Sequence, residues 1–394
     1  MLTAQQKSIV SATVPLLETG GEALTTHFYG ILLGEHPQVR PLFNQAHQAS
    51  GDQPRALANG VLMYAKHIDR LEALGPLAQQ IVNKHVALQV QPEHYPIVGA
   101  CLLRAIREVL GPDIATDEVI AAWAAAYGQL ADLLIGAEAS VYDSNAKAPG
   151  GWRGSRSFKV VRKEVESDEI TSFYFAPVDQ QPVMDFQPGQ YIGIRLIVGD
   201  EDIRRNYSLS AAPNGQTYRI SVKREEGGVA SCHLHDHVHE GSEVELFAPS
   251  GAFTLQAGDR PLVLISGGVG ITPTLAMLDA ALKTSRVVHF IHCARNRGVH
   301  AFRHSIEALA EKHSQLKRFY CYDEANHGAE LPHAVGRLDL QTLSRWLPAG
   351  TADVDAYLLG PKPFMKQVKA ALRTLGVPDA QVRYEFFGPA SALE

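Results

Sequence analysis

The chain is short of cysteine, of long apolar runs and of clustered positive charge. Its 4 cysteines among 394 residues, Cys101, Cys232, Cys293 and Cys321, are scattered and form no CxxC pair. That spacing excludes a disulfide frame and a Cys-ligated cluster, and it reads as reduced thiols in a cytoplasmic protein. The stretch Met1-Leu2-Thr3-Ala4-Gln5-Gln6-Lys7 lacks the apolar core of a signal peptide. No apolar run approaches a membrane span. A net charge of −6 without a basic run argues against nucleic acid or anionic membrane as a main partner. Repeats and low-complexity segments are missing too. What is left, 45% hydrophobic and 20% charged, is a globular composition at a length that implies about two to four domains.

Residues 1–140 read as helices throughout. Thr3 with Gln6 makes a capping box. Leu24, Phe28, Ile31 and Leu32 form an apolar stripe that Pro37 and Pro41 break at a corner carrying Phe43. Asp52 and Pro54 open a helix with Leu57, Val61, Ala65 and Ile68 on one face, and Pro76 starts one holding Ile81, His85 and Leu88. Thr116, Asp117 and Glu118 start a last long helix through Trp123, Tyr127, Leu130 and Leu134. No period-2 strand interrupts this all-α domain.

Composition changes over 141–151, where Ala148-Pro149-Gly150-Gly151 predicts a short flexible linker. Over 152–257 strand patterns follow one another: Ser157 to Glu166, Ile170 to Val178, Gln190 to Val198, Ile203 to Ser210, Thr217 to Glu225 and Glu243 to Pro249. Such spacing predicts a small antiparallel β-barrel. Over 258–394 strands alternate with helices, from Leu262 to Ser266 through to a final strand over Val382 to Phe387. That predicts an α/β doubly wound parallel sheet.

Three segments carry chemistry. The strand Arg204-Arg205-Asn206-Tyr207-Ser208 puts Arg205 and Tyr207 on one face and Ser208 on the other. A fixed cation suits a diphosphate and a ring suits a planar cofactor. Alone, this is equally an ordinary strand with an exposed Arg. Next, Lys223 to Ser231 turns at Gly227-Gly228 into a helix with Ser231 in its first turn. The third segment, Leu262 to Pro273, runs a buried strand into Gly267-Gly268-Val269-Gly270-Ile271-Thr272-Pro273 and a second helix. Both helix starts present free amides to a phosphate.

His85 lies on an apolar helix face, where a lone histidine is more often a satisfied core residue than a ligand. Glu138 falls in line with Tyr127 and Leu134, and a carboxylate on such a face needs a hydrogen-bond partner. His233, His235, His237 and His239 repeat at every second residue. In a helix they pair one turn apart in a zinc-capable pattern, but a solvated basic surface is the plainer reading.

With these residues together, the chain resembles ferredoxin-reductase-like flavoproteins in its last two thirds and flavohaemoglobins along essentially its whole length. The resemblance implies globin, flavin barrel and nucleotide-binding domain in that order. It implies haem b ligated by His85, with Tyr95 and Glu138 hydrogen-bonding that histidine, and a gas pocket of Tyr29, Phe43, Gln53 and Leu57 in which Tyr29, helped by Gln53, hydrogen-bonds oxygen. FAD is implied at Tyr191, Arg205, Asn206, Tyr207, Ser208, Gly228, Ser231 and the terminal Phe386-Phe387-Gly388-Pro389. NADH or NADPH is implied at Gly268, Val269, Gly270, Ile271, Thr272 and Pro273, with Gly360-Pro361 in the same cleft. Lys84 and Glu385 match residues that the family places between haem and flavin, although by themselves they read as surface charges.

One departure is plain, since the family follows the serine with Asn-Trp where this chain has Cys232-His233. Arg295, after the strand ending His292-Cys293-Ala294, leaves NADH and NADPH both open. The activity implied is nitric oxide dioxygenase, converting nitric oxide and haem-bound oxygen to nitrate without a separate protein partner. A flavin-driven peroxide or ferric reductase is the enzymatic alternative, and an oxygen-binding or sensing globin the non-enzymatic one.

Overall fold

The computed structural model describes residues 2–44, 48, 50–324, 331–350 and 353–388. Its first third is helical. Helices Ala4–Ala12, Val14–Glu35, Asp52–Lys66, Gly75–Leu88, His94–Leu110 and Asp117–Lys147 are joined by short 3₁₀ turns at Pro37–Leu42 and Leu71–Leu74. The capping box forms in both directions, with the Gln6 amide on Thr3 and the Thr3 amide on the Gln6 side chain. Leu24, Phe28, Leu32, Val61 and Ala65 bury together as the stripes predict. The helix His94–Leu110, not among the expected elements, brings in Tyr95 and buries Tyr95, Gly99, Leu102, Ala105 and Ile106 at helical spacing.

Two expectations change here. The helix Asp117–Lys147 runs through the first residues expected as linker. By length and composition it is also apolar enough to cross a membrane, although Trp123, Ala126 and Leu134 are buried in this domain. The glycines after it serve close approach rather than flexibility. A Cβ on Gly151 would stand 1.8 Å from the Asn145 carbonyl, and one on Gly150 would stand 2.6 Å from the backbone of Val183.

Strands β1 (Ser155–Val165), β2 (Ile170–Pro177), β3 (Tyr191–Val198), β4 (Glu201–Ser208), β5 (Tyr218–Lys223) and β6 (Glu243–Phe247) form one antiparallel sheet in the order β4-β3-β6-β1-β2-β5. Its two edges approach at the Leu209–Ile220 bridge, which gives the half-barrel its curl. Phe158, Phe173, Phe175, Ile192 and Ile194 fill the inside.

The last sheet is parallel, with β7 (Leu262–Gly267), β8 (Val288–Ala294), β9 (Leu316–Tyr322), β10 (Ala334–Val335), β11 (Asp355–Leu359) and β12 (Val382–Tyr384) in the order β10-β9-β8-β7-β11-β12. Along β7, Leu262 and Leu264 enter one core while Val263 and Ile265 enter the core on the opposite face. A strand covered on both faces reads as a near-continuous apolar run, as this one does from Leu262 to Ile265, with Ser266 the one polar side chain at its end. The final strand ends at Tyr384, three residues earlier than its pattern predicts. Glu385 to Gly388 leave the sheet and cross toward the other domains; the expected contact at Pro389 lies outside the described residues.

Candidate functional site

One continuous cavity of about 1420 Å³ runs between the helical domain and the barrel and touches the nucleotide-binding turn. At its helical end Phe28, Tyr29, Phe43, Gln53 and Leu57 line the cavity together with His85. The Tyr29 and Phe43 rings meet edge to face at 5.6 Å. Burial pushes the Tyr29 phenol far up, opposed by its hydrogen bond with the Gln53 side chain, so the hydroxyl keeps its proton.

His85 sits in the last turn of its helix, with a side chain 32% exposed, and it lines the cavity. Its Nδ1 lies 2.6 Å from Glu138 Oε1, and the Tyr95 hydroxyl donates to the same oxygen at 2.6 Å. Nδ1 and the Tyr95 hydroxyl are 3.2 Å apart. A carboxylate accepts here, so Nδ1 is the donating nitrogen of this pair and Nε2 is the ring nitrogen outside it. Glu138 itself lies outside the cavity lining, 2% exposed. Tyr95 is fixed in turn, because Tyr127 donates to its carbonyl at 2.6 Å. Burial and the neighbouring Glu138 raise the Tyr95 phenol well above its usual range.

At the barrel end Arg205, Asn206, Tyr207 and Ser208 line the cavity from β4, with Tyr191 across from Ser208 on β3. Arg205 donates to the Arg204 carbonyl at 2.7 Å and has no carboxylate within ion-pair range among the described residues. Burial lowers its pKa, the signature of a cation that wants an anion. Gly228 caps the helix Val229–His237 without a side-chain acceptor, and Gly228 and Ser231 both face the cavity. The Glu225 amide donates to Ser231 Oγ at 3.2 Å. A planar cofactor with a diphosphate tail fits this cradle of cation, rings and free amides.

Val269 and Thr272 reach the cavity from the turn after β7. Gly268 takes a φ of +55°, and a Cβ on Gly270 would stand 2.5 Å from the Leu359 carbonyl. Gly268, Gly270, Ile271 and Pro273 therefore build the turn without lining the cavity, and Ile271 packs in the core. Gly360, φ +153°, stands over Gly267 from the neighbouring strand.

Lys84 and Glu385 are no ordinary surface charges. Both line the cavity, with Phe386, Phe387 and Gly388. Burial pushes the Glu385 carboxyl up to about 7, opposed by the charge of Lys84. Burial lowers Lys84, opposed by Glu385. The Lys84 ammonium donates to the Gly388 carbonyl.

The histidine repeat is divided by its surroundings. His235 places Nε2 2.8 Å from the Val222 carbonyl, while the His233 and His237 rings stand side by side at 5.2 Å. Among the described residues no group of three or more His, Cys, Asp or Glu side chains could hold a metal. Cys232, at the departure from the family pattern, places its thiol on the Glu225 carbonyl at 3.4 Å. Arg295 is engaged by Glu169 of the barrel. Sequence reasoning missed Arg204, Ser250 and Gly193, which touch the His85 helix. Only Gly193, a glycine inside a strand, carries a signal of close approach.

Comparison with known proteins matches the three segments to three family models: Globin over residues 26–134, Oxidoreductase FAD-binding domain over 157–255 and Oxidoreductase NAD-binding domain over 264–370. The chain is 68% identical to a flavohemoprotein of Burkholderia sp. (strain TH2) and 67% identical to one of Pseudomonas putida, covering all of both chains in each case. The structure is similar to a flavohemoglobin of Malassezia yamatoensis with bound FAD and heme, at a TM-score of 0.85 and 27% identity over 98% of this chain and 100% of that one. It is also similar to the FAD/NAD-binding domain of a nitric oxide dioxygenase from Vibrio cholerae, at a TM-score of 0.55 and 39% identity over 60% of this chain and 100% of that one. A helical haem domain, an FAD half-barrel and a parallel NAD-binding sheet on one chain, matched end to end by these relatives, make this oxidoreductase a member of the flavohaemoproteins.

Proposed function

We propose that this flavohaemoprotein is a nitric oxide dioxygenase, which spends NAD(P)H and dioxygen to convert nitric oxide to nitrate. The observation that carries the reading is the Glu138 carboxylate 2.6 Å from Nδ1 of His85, which lines the same cavity as the residues read as the flavin seat. An oxygen store needs neither a carboxylate behind its haem-binding histidine nor a hydride source. When bound, haem supplies the gas-binding iron, and FAD divides the two electrons of the nicotinamide into single ones.

The side chains take these roles. Glu138 and Tyr95 fix the tautomer of His85 and make it a stronger donor to the iron. Tyr29, kept protonated by burial and held by Gln53, would donate a hydrogen bond to a ligand in the pocket it shares with His85. Phe43 and Leu57 keep that side apolar. Arg205 and the amides at the start of Val229–His237 would hold FAD by its diphosphate, and Tyr191 and Tyr207 would offer rings to its planar system. The turn at Gly268–Gly270 and the start of Ile271–Ala281 receive the nicotinamide nucleotide. Lys84 and Glu385 tune the passage between the two redox groups. With donor site and gas site on one chain, no separate reductase is needed, and the free thiols suit the reducing cytoplasm.

The test is direct. With NADH and oxygen, the purified protein should consume nitric oxide and form nitrate. Tyr29→Phe should slow that reaction, by about 10²-fold if no other donor replaces it and by less if Gln53 does. Flavin reduction by NADH should stay unchanged. If NADH is oxidised at one rate with and without nitric oxide and no nitrate forms, the protein is a flavin-driven haem reductase instead.

A further inference from the structure

The helix that carries His85 ends against the flavin barrel, and the barrel supplies what the helix end lacks. The carbonyls of a last helical turn have no partner within the helix. Two are met locally: the Gln89 amide reaches His85 and Val86, the Val90 amide reaches His85 at 2.9 Å, and Gln89 Nε2 reaches Val86 at 2.9 Å. The Leu88 carbonyl is met from another domain, by Arg204 of β4 at 2.7 Å. A cation there also faces the negative end of the helix dipole.

Arg204 is built for this place. Its guanidinium lies over the Phe247 ring at 5.5 Å, Asp202 stands 3.6 Å away, and the side chain is 19% exposed. Its Nε–H has no acceptor among the described residues, so the ring beneath and the carbonyl ahead hold it rather than a closed polar network. The same helix is gripped at two further points. Ser250 Oγ donates to the Asn83 carbonyl at 3.0 Å, and a side chain at Gly193 would come within 2.2 Å of the Ala87 carbonyl. These contacts bracket His85 on both sides in sequence.

We propose that Arg204 is a positioning residue for electron transfer from flavin to haem: by anchoring the Leu88 carbonyl it holds the His85 helix in register with the FAD barrel. The proposal rests on the reading of His85 as haem ligand. Transfer between two separated centres depends steeply on their distance and orientation, and Arg204 fixes the element that carries one centre to the element that seats the other.

Arg204→Ala and Arg204→Lys in the full-length holoenzyme test it, with flavin and haem content measured in each. Stopped-flow spectra should show NADH reducing the flavin at the parental rate in both. The following haem reduction should slow roughly tenfold to hundredfold in Arg204→Ala, the scale that a misplacement of about 1 Å can cost a geometry-dependent step. Arg204→Lys, which keeps a cation able to donate to one carbonyl, should restore most of it. Hydrogen exchange in the oxidised protein without substrate should quicken at amides 83–90 in Arg204→Ala and not in the barrel. Haem reduction at the parental rate in Arg204→Ala would overturn the proposal, as would slowed reduction with an unchanged helix end, or loss of FAD. Haem retained by His85→Ala would overturn the ligand reading beneath it instead.

Discussion

Glu138 and His85 lie 53 positions apart and meet at 2.6 Å, and the carboxylate oxygen that His85 faces also accepts the Tyr95 hydroxyl. One buried oxygen thus collects both donors, which sets the orientation of the imidazole before any metal arrives. The residues proposed to seat the flavin line the barrel end of the same cavity, so the properties of His85 can be tested separately from theirs.

His85→Ala should yield a folded, flavin-containing protein without the haem absorption band. Visible spectra of variant and parent, matched for flavin, decide this. A normal five-coordinate haem spectrum in the variant would exclude His85 as the ligand.

Glu138→Gln should keep haem and weaken its push. An amide can accept from Nδ1 but carries no charge, so the histidine donates less electron density. Outer partners of a metal ligand typically contribute about 10- to 100-fold in affinity or activity, and nitric oxide consumption should fall on that scale. The iron–histidine stretching frequency should drop with it. An unchanged frequency would show that the carboxylate serves packing alone.

Arg205→Ala should release FAD on dilution while haem remains. A hydrogen bond to a charged group contributes about 1.5 to 3 kcal/mol, so the dissociation constant should rise about tenfold to somewhat over a hundredfold. Equal FAD affinity in variant and parent is the outcome that removes Arg205 from the flavin seat.

Glu385 gives the protein without flavin a pH dependence of known sign. Its folded pKa, about 7, lies above its ordinary 4.5, so folding favours the protonated form. Its contribution to stability is fully present below the ordinary value and is lost as pH rises through the folded one. The flavin-free parent should therefore lose stability relative to Glu385→Gln between about pH 4.5 and pH 7. Urea unfolding of both at pH 5 and pH 8 measures it, and a gap of equal size at the two pH values would contradict it.

The histidine repeat should carry no stoichiometric zinc. His235 faces the Val222 carbonyl rather than His239, which breaks one of the two candidate pairs. Elemental analysis of the purified protein should find iron alone, and zinc at one per chain that disappears in His235→Ala would restore the metal reading.

The sequence by itself determined what depends on neighbours along the chain. The capping box at Thr3, the apolar stripes from Leu24 to Ile68, the turn from β7 into a glycine-rich helix start and the apolar run Leu262 to Ile265 of β7 all follow from residues within one or two turns of each other. Their physics is local: backbone donors at a helix start, side-chain periodicity, a strand covered on both faces. Lys84 and Glu385 show where this stops, since a charged residue in a helix or near a chain end carries no mark of whether solvent or a cavity surrounds it. Burial does not propagate along the chain; it depends on which surfaces meet. Only the tertiary structure brought Tyr95 and Glu138 to one nitrogen of His85, set Arg204 against the Leu88 carbonyl, and carried Glu385 to Gly388 off the sheet into the cavity. Each of these joins elements far apart in sequence, and hydrogen-bond geometry at such a junction is set by packing between domains, which no local pattern records.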